Sequence, residues 1–90
     1  MRIIDHPTWC TREGCERTGE HRSRWRSLNV SGDGELVGLD IRLVRSTTAD
    51  APVWVTIVAS YEDVHVELPL SVPQARAMRF ALHSLLDAAR

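Results

Sequence analysis

Apolar and polar residues alternate most regularly from Val37 to Leu43, where Val37, Leu39, Ile41 and Leu43 are separated by Gly38, Asp40 and Arg42. A period of two sends the two sets to opposite faces of a pleated strand, so this stretch predicts a half-buried β-strand. Leu28 and Val30 flank Asn29 in the same rhythm, with Trp25 out of phase. Between these strands SGDGE, at Ser31 to Glu35, is turn chemistry, and a hairpin is expected even though the loop is longer than the two-residue ideal. No Lys-Ser/Thr pair and no helical pattern come after SGDG, so it does not match a phosphate-cradling loop.

Ser46 to Ala51 is a mostly polar link, and Pro52 opens VWVTIVAS, whose β-branched residues sit at both odd and even positions, as in a central strand. Trp54, within it, is placed to face either a helix or a partner. Tyr61, Glu62 and Asp63 make the next turn, and Val64, Val66 and Leu68 then alternate with His65 and Glu67. Pro69 and Pro73 bracket a change of period. Ser71, with Gln74 three residues on, fits a capping box, and a helix is expected to run from there to about Ala89. At 100° per residue Ala75, Met78, Leu82, Leu85, Leu86 and Ala89 form one stripe, which is expected to lie on the sheet. Phe80 falls nearly opposite, beside Ala77, Ala81, Ser84 and Ala88. Two readings of that second patch stay open: a contact for a partner helix or a second copy of the chain, and a helix wedged between the sheet and the N-terminal segment.

The first two dozen residues obey neither period. They carry both cysteines and two of the four histidines as His6, Cys10, Cys15 and His21, in the order H-x3-C-x4-C-x5-H. Two thiolates and two imidazoles in one short polar stretch are a ligand set for a single structural zinc ion, and four protein ligands leave no position for a catalytic water. Pro7 biases His6 away from helical backbone, Gly14 and Gly19 permit tight turns on either side of Cys15, and Trp9 is placed to shield the ion from water. The spacing is not that of a C-x2-C finger. Free thiols with surface histidines, and a disulfide between Cys10 and Cys15, remain the alternatives. Ile3 and Ile4, ahead of the motif, are available as a β-extension or for core packing.

The expected architecture is therefore α+β: a zinc knuckle over residues 1–24, a three- to four-stranded antiparallel meander over 25–69, and one C-terminal helix over 71–89 packed on the sheet. A chain of 90 residues makes one domain, and at this size roughly 60% of the unfolded surface is buried, so a metal staple matters to stability. Hydrophobic and charged fractions of 43% and 26% are those of a globular protein.

Net charge is −1, which removes any global signal for a polyanion, although all 11 basic residues are arginine. Arg22, Arg24 and Arg26 flank Trp25, a local pattern able to stack on bases and pair with phosphates, diluted by Glu13, Glu16 and Glu20. His65 and His83 lie on polar faces and are expected to be solvated. No Ser/His/Asp arrangement, phosphate loop or carboxylate pair stands out, so catalysis is not expected. MRIIDHPTWC lacks the features of a secretory signal, and the apolar run around Val53 to Ala59 is too short to span a bilayer, which predicts a cytoplasmic protein.

HPTWC, the later Cys and His, and the closing VPQARAMRFALHSLLDAAR together resemble a family of small actinobacterial and actinophage proteins known only as a domain of unknown function. The resemblance touches Pro7, Trp9 and Cys10 most firmly, then Cys15 and His21, and at the helix start Pro73 and Ala75. It implies an actinobacterial or phage source, in keeping with the Arg-, Ala- and Val-rich composition, and implies no activity. The function expected from the residues is a zinc-stapled module for protein interaction or regulation, with self-association through the Phe80 face as one form. The alternative is a nucleic-acid-binding regulator using Arg22, Arg24, Trp25 and Arg26.

Overall fold

The structure, a computed structural model, describes residues 5–28 and 37–89. The expectations for Ile3 and Ile4, and for Asn29, Val30 and the turn at Ser31 to Glu35, lie outside the described residues. In chain order the elements are α1 (Cys15–Thr18), β1 (Glu20–Arg22), β2 (Arg26–Ser27), β3 (Val37–Ser46), β4 (Val53–Tyr61), β5 (Val64–Ser71) and α2 (Val72–Ala88). All strand pairings are antiparallel, in the order β1-β3-β4-β5, with β2 also pairing with β3. The α+β class, the antiparallel sheet and the single long C-terminal helix are as the periodicities predict.

Directly opposed residues share a face, so the register sorts the sheet into two surfaces. Leu39, Ile41 and Leu43 of β3 lie opposite Ala59, Ile57 and Val55 of β4, which in turn lie opposite Val66, Leu68 and Leu70 of β5. This face is almost wholly apolar. The other carries Asp40, Arg42, Thr56, Ser60, His65 and Glu67 by the same register. The alternation in β3 and β5 is what separates them. β4, with β-branched residues at both parities, supplies both faces and occupies an interior position.

Between β1 and β2 the chain carries one residue more than the strand opposite. Arg22 lies opposite Val44 and Arg26 opposite Ile41, so the N-terminal strand takes four steps where β3 takes three. The extra residue is a β-bulge, held by Leu43 N–H donating to Ser23 Oγ at 2.8 Å and Ser23 N–H to the Leu43 carbonyl at 2.9 Å. Because a bulge inverts the facing of the residues beyond it, Trp25 turns to the polar face and covers Arg42, whose Cζ is 4.0 Å from a Trp25 ring centroid. Leu28 is returned to the side of Leu39, to whose carbonyl its N–H donates.

The helix departs from expectation. Ser71 is at once the last residue of β5 and the N-cap of α2, with the capping box complete: Gln74 N–H donates to Ser71 Oγ at 3.2 Å, and Ser71 N–H to Gln74 Oε1 at 2.9 Å. With no loop between them, the helix cannot reverse onto the sheet. Val72 and Ala75 are half-buried at its base, and every residue from Arg76 to Ala89 is exposed. The stripe Ala75, Met78, Leu82, Leu85, Leu86 and Ala89 therefore does not lie on the sheet of its own chain, nor is the helix wedged against the N-terminal segment. Eight residues of strand and 17 of helix each span about 26 Å, so β5 and α2 end to end account for most of the 54 Å long dimension.

Since the capping box joins the end of the strand to the start of α2, Ser71→Ala is expected to cost about 1 kcal/mol of stability. Helical ellipticity should fall and the thermal midpoint should drop. An unchanged circular dichroism spectrum and melting curve would show that the cap does not hold the helix.

Candidate metal centre

Four residues from three different local structures converge at one end of the apolar face. His6 precedes Pro7, whose carbonyl accepts the Cys10 N–H at 3.0 Å and so closes a tight turn over residues 7–10. Arg12 then takes a positive φ of 66°, and its N–H donates to Cys10 Sγ at 3.2 Å. Cys15 begins the one-turn helix α1, set between Gly14 at φ 69° and Gly19 at φ 74°, both in the left-handed region that glycine enters without a Cβ penalty. His21 is the central residue of β1, opposite Arg45 of β3. Thr11 N–H donates to the Arg22 carbonyl and Thr47 N–H to the Gly19 carbonyl, which fastens the loop to the sheet on both sides.

The ligand atoms of His6, Cys10, Cys15 and His21 all lie within 4.8 Å of one another. Cys10 Sγ is 3.6 Å from His6 Nδ1 and 3.6 Å from His21 Nδ1, Cys15 Sγ is 3.6 Å from His6 Nδ1, and the two sulfurs are 3.4 Å apart. That separation is far beyond the S–S bond length of about 2.05 Å, so the cysteines are free thiols. Both imidazoles turn Nδ1 inward and meet edge to face, with centroids 5.2 Å apart. Such a group could hold a metal ion.

Burial sets the electrostatics. Among the described residues, the buried ones are Cys10, Cys15, His21 and Thr56, so three of four belong to this cluster. Burial, then the neighbouring Cys10, pushes the Cys15 thiol above its ordinary value. Burial, then His6 and Arg45, holds His21 below the ordinary 6.5. His21 is therefore neutral at pH 7 with its lone pair free.

The other residues singled out by sequence are dispersed. Trp9 is half-buried and shares a cleft with Ile41, Leu43 and Val55, so it seats the loop on the apolar face. Trp54 lies on the polar face, bordering a cleft with Glu20, Arg22 and Arg42. Arg22 donates to Glu20 Oε1 at 2.7 Å, and the bulge places it on the opposite face from Arg26, with Arg24 exposed between them. Phe80 stands on the helix, 77% exposed. His65 pairs with Ser60 Oγ at 2.9 Å and His83 with Asp87 at 3.5 Å, both far along the chain from the cluster. Two contributors escaped sequence reasoning: the Arg12 N–H, which only the turn geometry reveals, and Arg45, which only the strand register sets beside His21.

No protein-family model, curated protein or solved structure matches the chain. None of the described helices is long and apolar enough to cross a membrane. The fold and site define a small α+β domain with a cluster of two histidines and two cysteines, able to hold a metal ion, at one end of an antiparallel sheet.

The depressed pKa of His21 gives a pH dependence of known sign. The unfolded chain takes up a proton that the folded chain refuses, so this contribution is complete above about pH 6.5 and is lost as pH falls below it. Denaturation midpoints should decline on acidification through that range, with bound metal released in parallel. A stability that is flat or rises there would contradict the burial of a neutral His21.

Proposed function

We propose that the chain is a small zinc-stapled protein-interaction module without catalytic activity. The observation that carries this reading is the shape of the cluster. A tetrahedral zinc with Zn–S of about 2.3 Å and Zn–N of about 2.0–2.1 Å has S–N edges of about 3.6 Å and an S–S edge of about 3.8 Å. Three of the four S–N separations are 3.6 Å, the S–S separation is 3.4 Å, and all four ligand atoms lie within 4.8 Å of one another, so the residues fit the ion with modest adjustment. His6, Cys10, Cys15 and His21 fill its coordination, which leaves the metal structural. Its part is to hold the N-terminal loop against the sheet, work that an apolar core performs in larger domains.

The interaction role draws on the surfaces that the sheet and helix leave uncovered. Leu39, Tyr61, Val64, Val66 and Leu68 on the sheet, and Met78, Leu82, Leu85 and Leu86 on the helix, are all exposed. Apolar surface on this scale marks a contact site. The nucleic-acid reading has less behind it. Arg22 is engaged by Glu20, Arg42 occupies one side of Trp25, and Arg22 and Arg26 lie on opposite faces. Salt-sensitive DNA binding that vanishes when all three arginines are replaced would reinstate it.

Elemental analysis of protein prepared under reducing conditions tests the staple. Close to one zinc per chain is expected in a colourless sample, and Cys10→Ser or Cys15→Ser should each lose the metal and lower the thermal midpoint sharply. Metal-free protein with both thiols freely titratable would refute the zinc module.

A further inference from the structure

Resting on that reading, the geometry points to a second copy of this chain as the occupant of the exposed apolar surfaces. The two copies exchange α2 reciprocally, so that the leucine stripe of each helix lies on the apolar sheet face of the other protomer.

The uncovered surfaces are complementary in chemistry and size. Val64, Val66 and Leu68 are 59%, 58% and 49% exposed, and with Leu39 and Tyr61 they form the part of the apolar face farthest from the metal centre. Leu85 and Leu86 are 66% and 68% exposed on the stripe of a helix about 26 Å long, the same length as β5. The chain's own helix cannot reach that patch. It starts from Ser71, opposite Trp54 at the metal end of the sheet, and runs on from the strand without a loop. A helix arriving from another molecule is under no such restraint.

The amount of surface is that of an obligate dimer. A compact monomer of 10.2 kDa exposes about 5300 Å², whereas this chain exposes 7540 Å². The excess of about 2200 Å² falls within the roughly 1000 to 2500 Å² that each partner buries in an obligate interface. The radius of gyration of 15.8 Å likewise exceeds the roughly 12 Å expected of a compact 90-residue domain. Each chain offers one helix stripe and one sheet patch, so a two-fold axis covers both surfaces of both copies and closes the assembly. A single unrelated partner would need two separate contact surfaces to do the same. In this arrangement Phe80, opposite the stripe, faces away from the contact.

Light scattering on the full-length, metal-loaded chain at micromolar concentration is expected to give twice the 10.2 kDa chain mass. Leu85→Glu with Leu86→Glu, and separately Val66→Glu with Leu68→Glu, should each give monomers that keep their metal. Mixing these two variants should restore a heterodimer, because the sheet variant brings an intact helix and the helix variant an intact sheet. Phe80→Asp should leave the dimer whole. Should a charged variant fail to fold, Leu85→Ala with Leu86→Ala should raise the dimer dissociation constant at least about a hundredfold, since each side chain is lost twice. Four results would overturn the exchange while leaving the zinc module standing: a metal-loaded wild-type monomer, a dimer indifferent to both pairs of substitutions, no complementation on mixing, or a dimer dissociated by Phe80→Asp. Absence of metal from the wild type would instead strike the zinc module itself.

Discussion

Three of the four buried residues among those described meet at one point, where two sulfurs and two imidazole nitrogens from separate pieces of chain converge within 4.8 Å. Cys10 comes from a turn, Cys15 from a one-turn helix and His21 from a strand, and none of these elements is long enough to be stable alone. The strand is what matters for the rest. Because His21 belongs to β1 and β1 pairs with β3, an ion bound by the cluster is fastened through hydrogen bonds to the longest strand of the sheet. The loop and the sheet become one body.

That arrangement explains a distribution of burial that would be odd in a larger domain. Among the described residues, the buried ones are three of the four cluster members and Thr56, which lies on the polar face between Arg42 and Pro69. The apolar face is sheltered near the cluster, where Trp9 and the loop border Ile41, Leu43 and Val55, and opens with distance from it. The helix that periodicity assigns to that face follows β5 without a loop and leaves the face uncovered. One side of the sheet and one side of the helix are consequently finished as interior surfaces without an interior to occupy.

Much of this was legible beforehand. The alternation in Val37 to Leu43 and in Val64 to Leu68, the Ser71–Gln74 box and the H-x3-C-x4-C-x5-H spacing each reflect a local rule: a pleat, a cap, a ligand set. Local rules act over a few residues and leave their mark in the order of the chain. Trp25 opposes Leu28 by plain alternation, but that this stretch is reversed in facing relative to β1 follows only once the bulge opposite β3 is known.

The sequence by itself determined the class of fold, the three long strands, the start of the helix and the four residues able to meet around an ion, because periodicity, capping and ligand chemistry are properties of neighbours along the chain. Only the tertiary structure decided that His21 is a strand residue beside Arg45, that Arg22 and Arg26 face opposite ways, and that the leucine stripe lies off the sheet of its own chain. The last is the most consequential. A hydrophobic stripe specifies that a surface is to be covered, but the covering surface depends on where the helix is directed, and here a single residue shared by β5 and α2 directs it away.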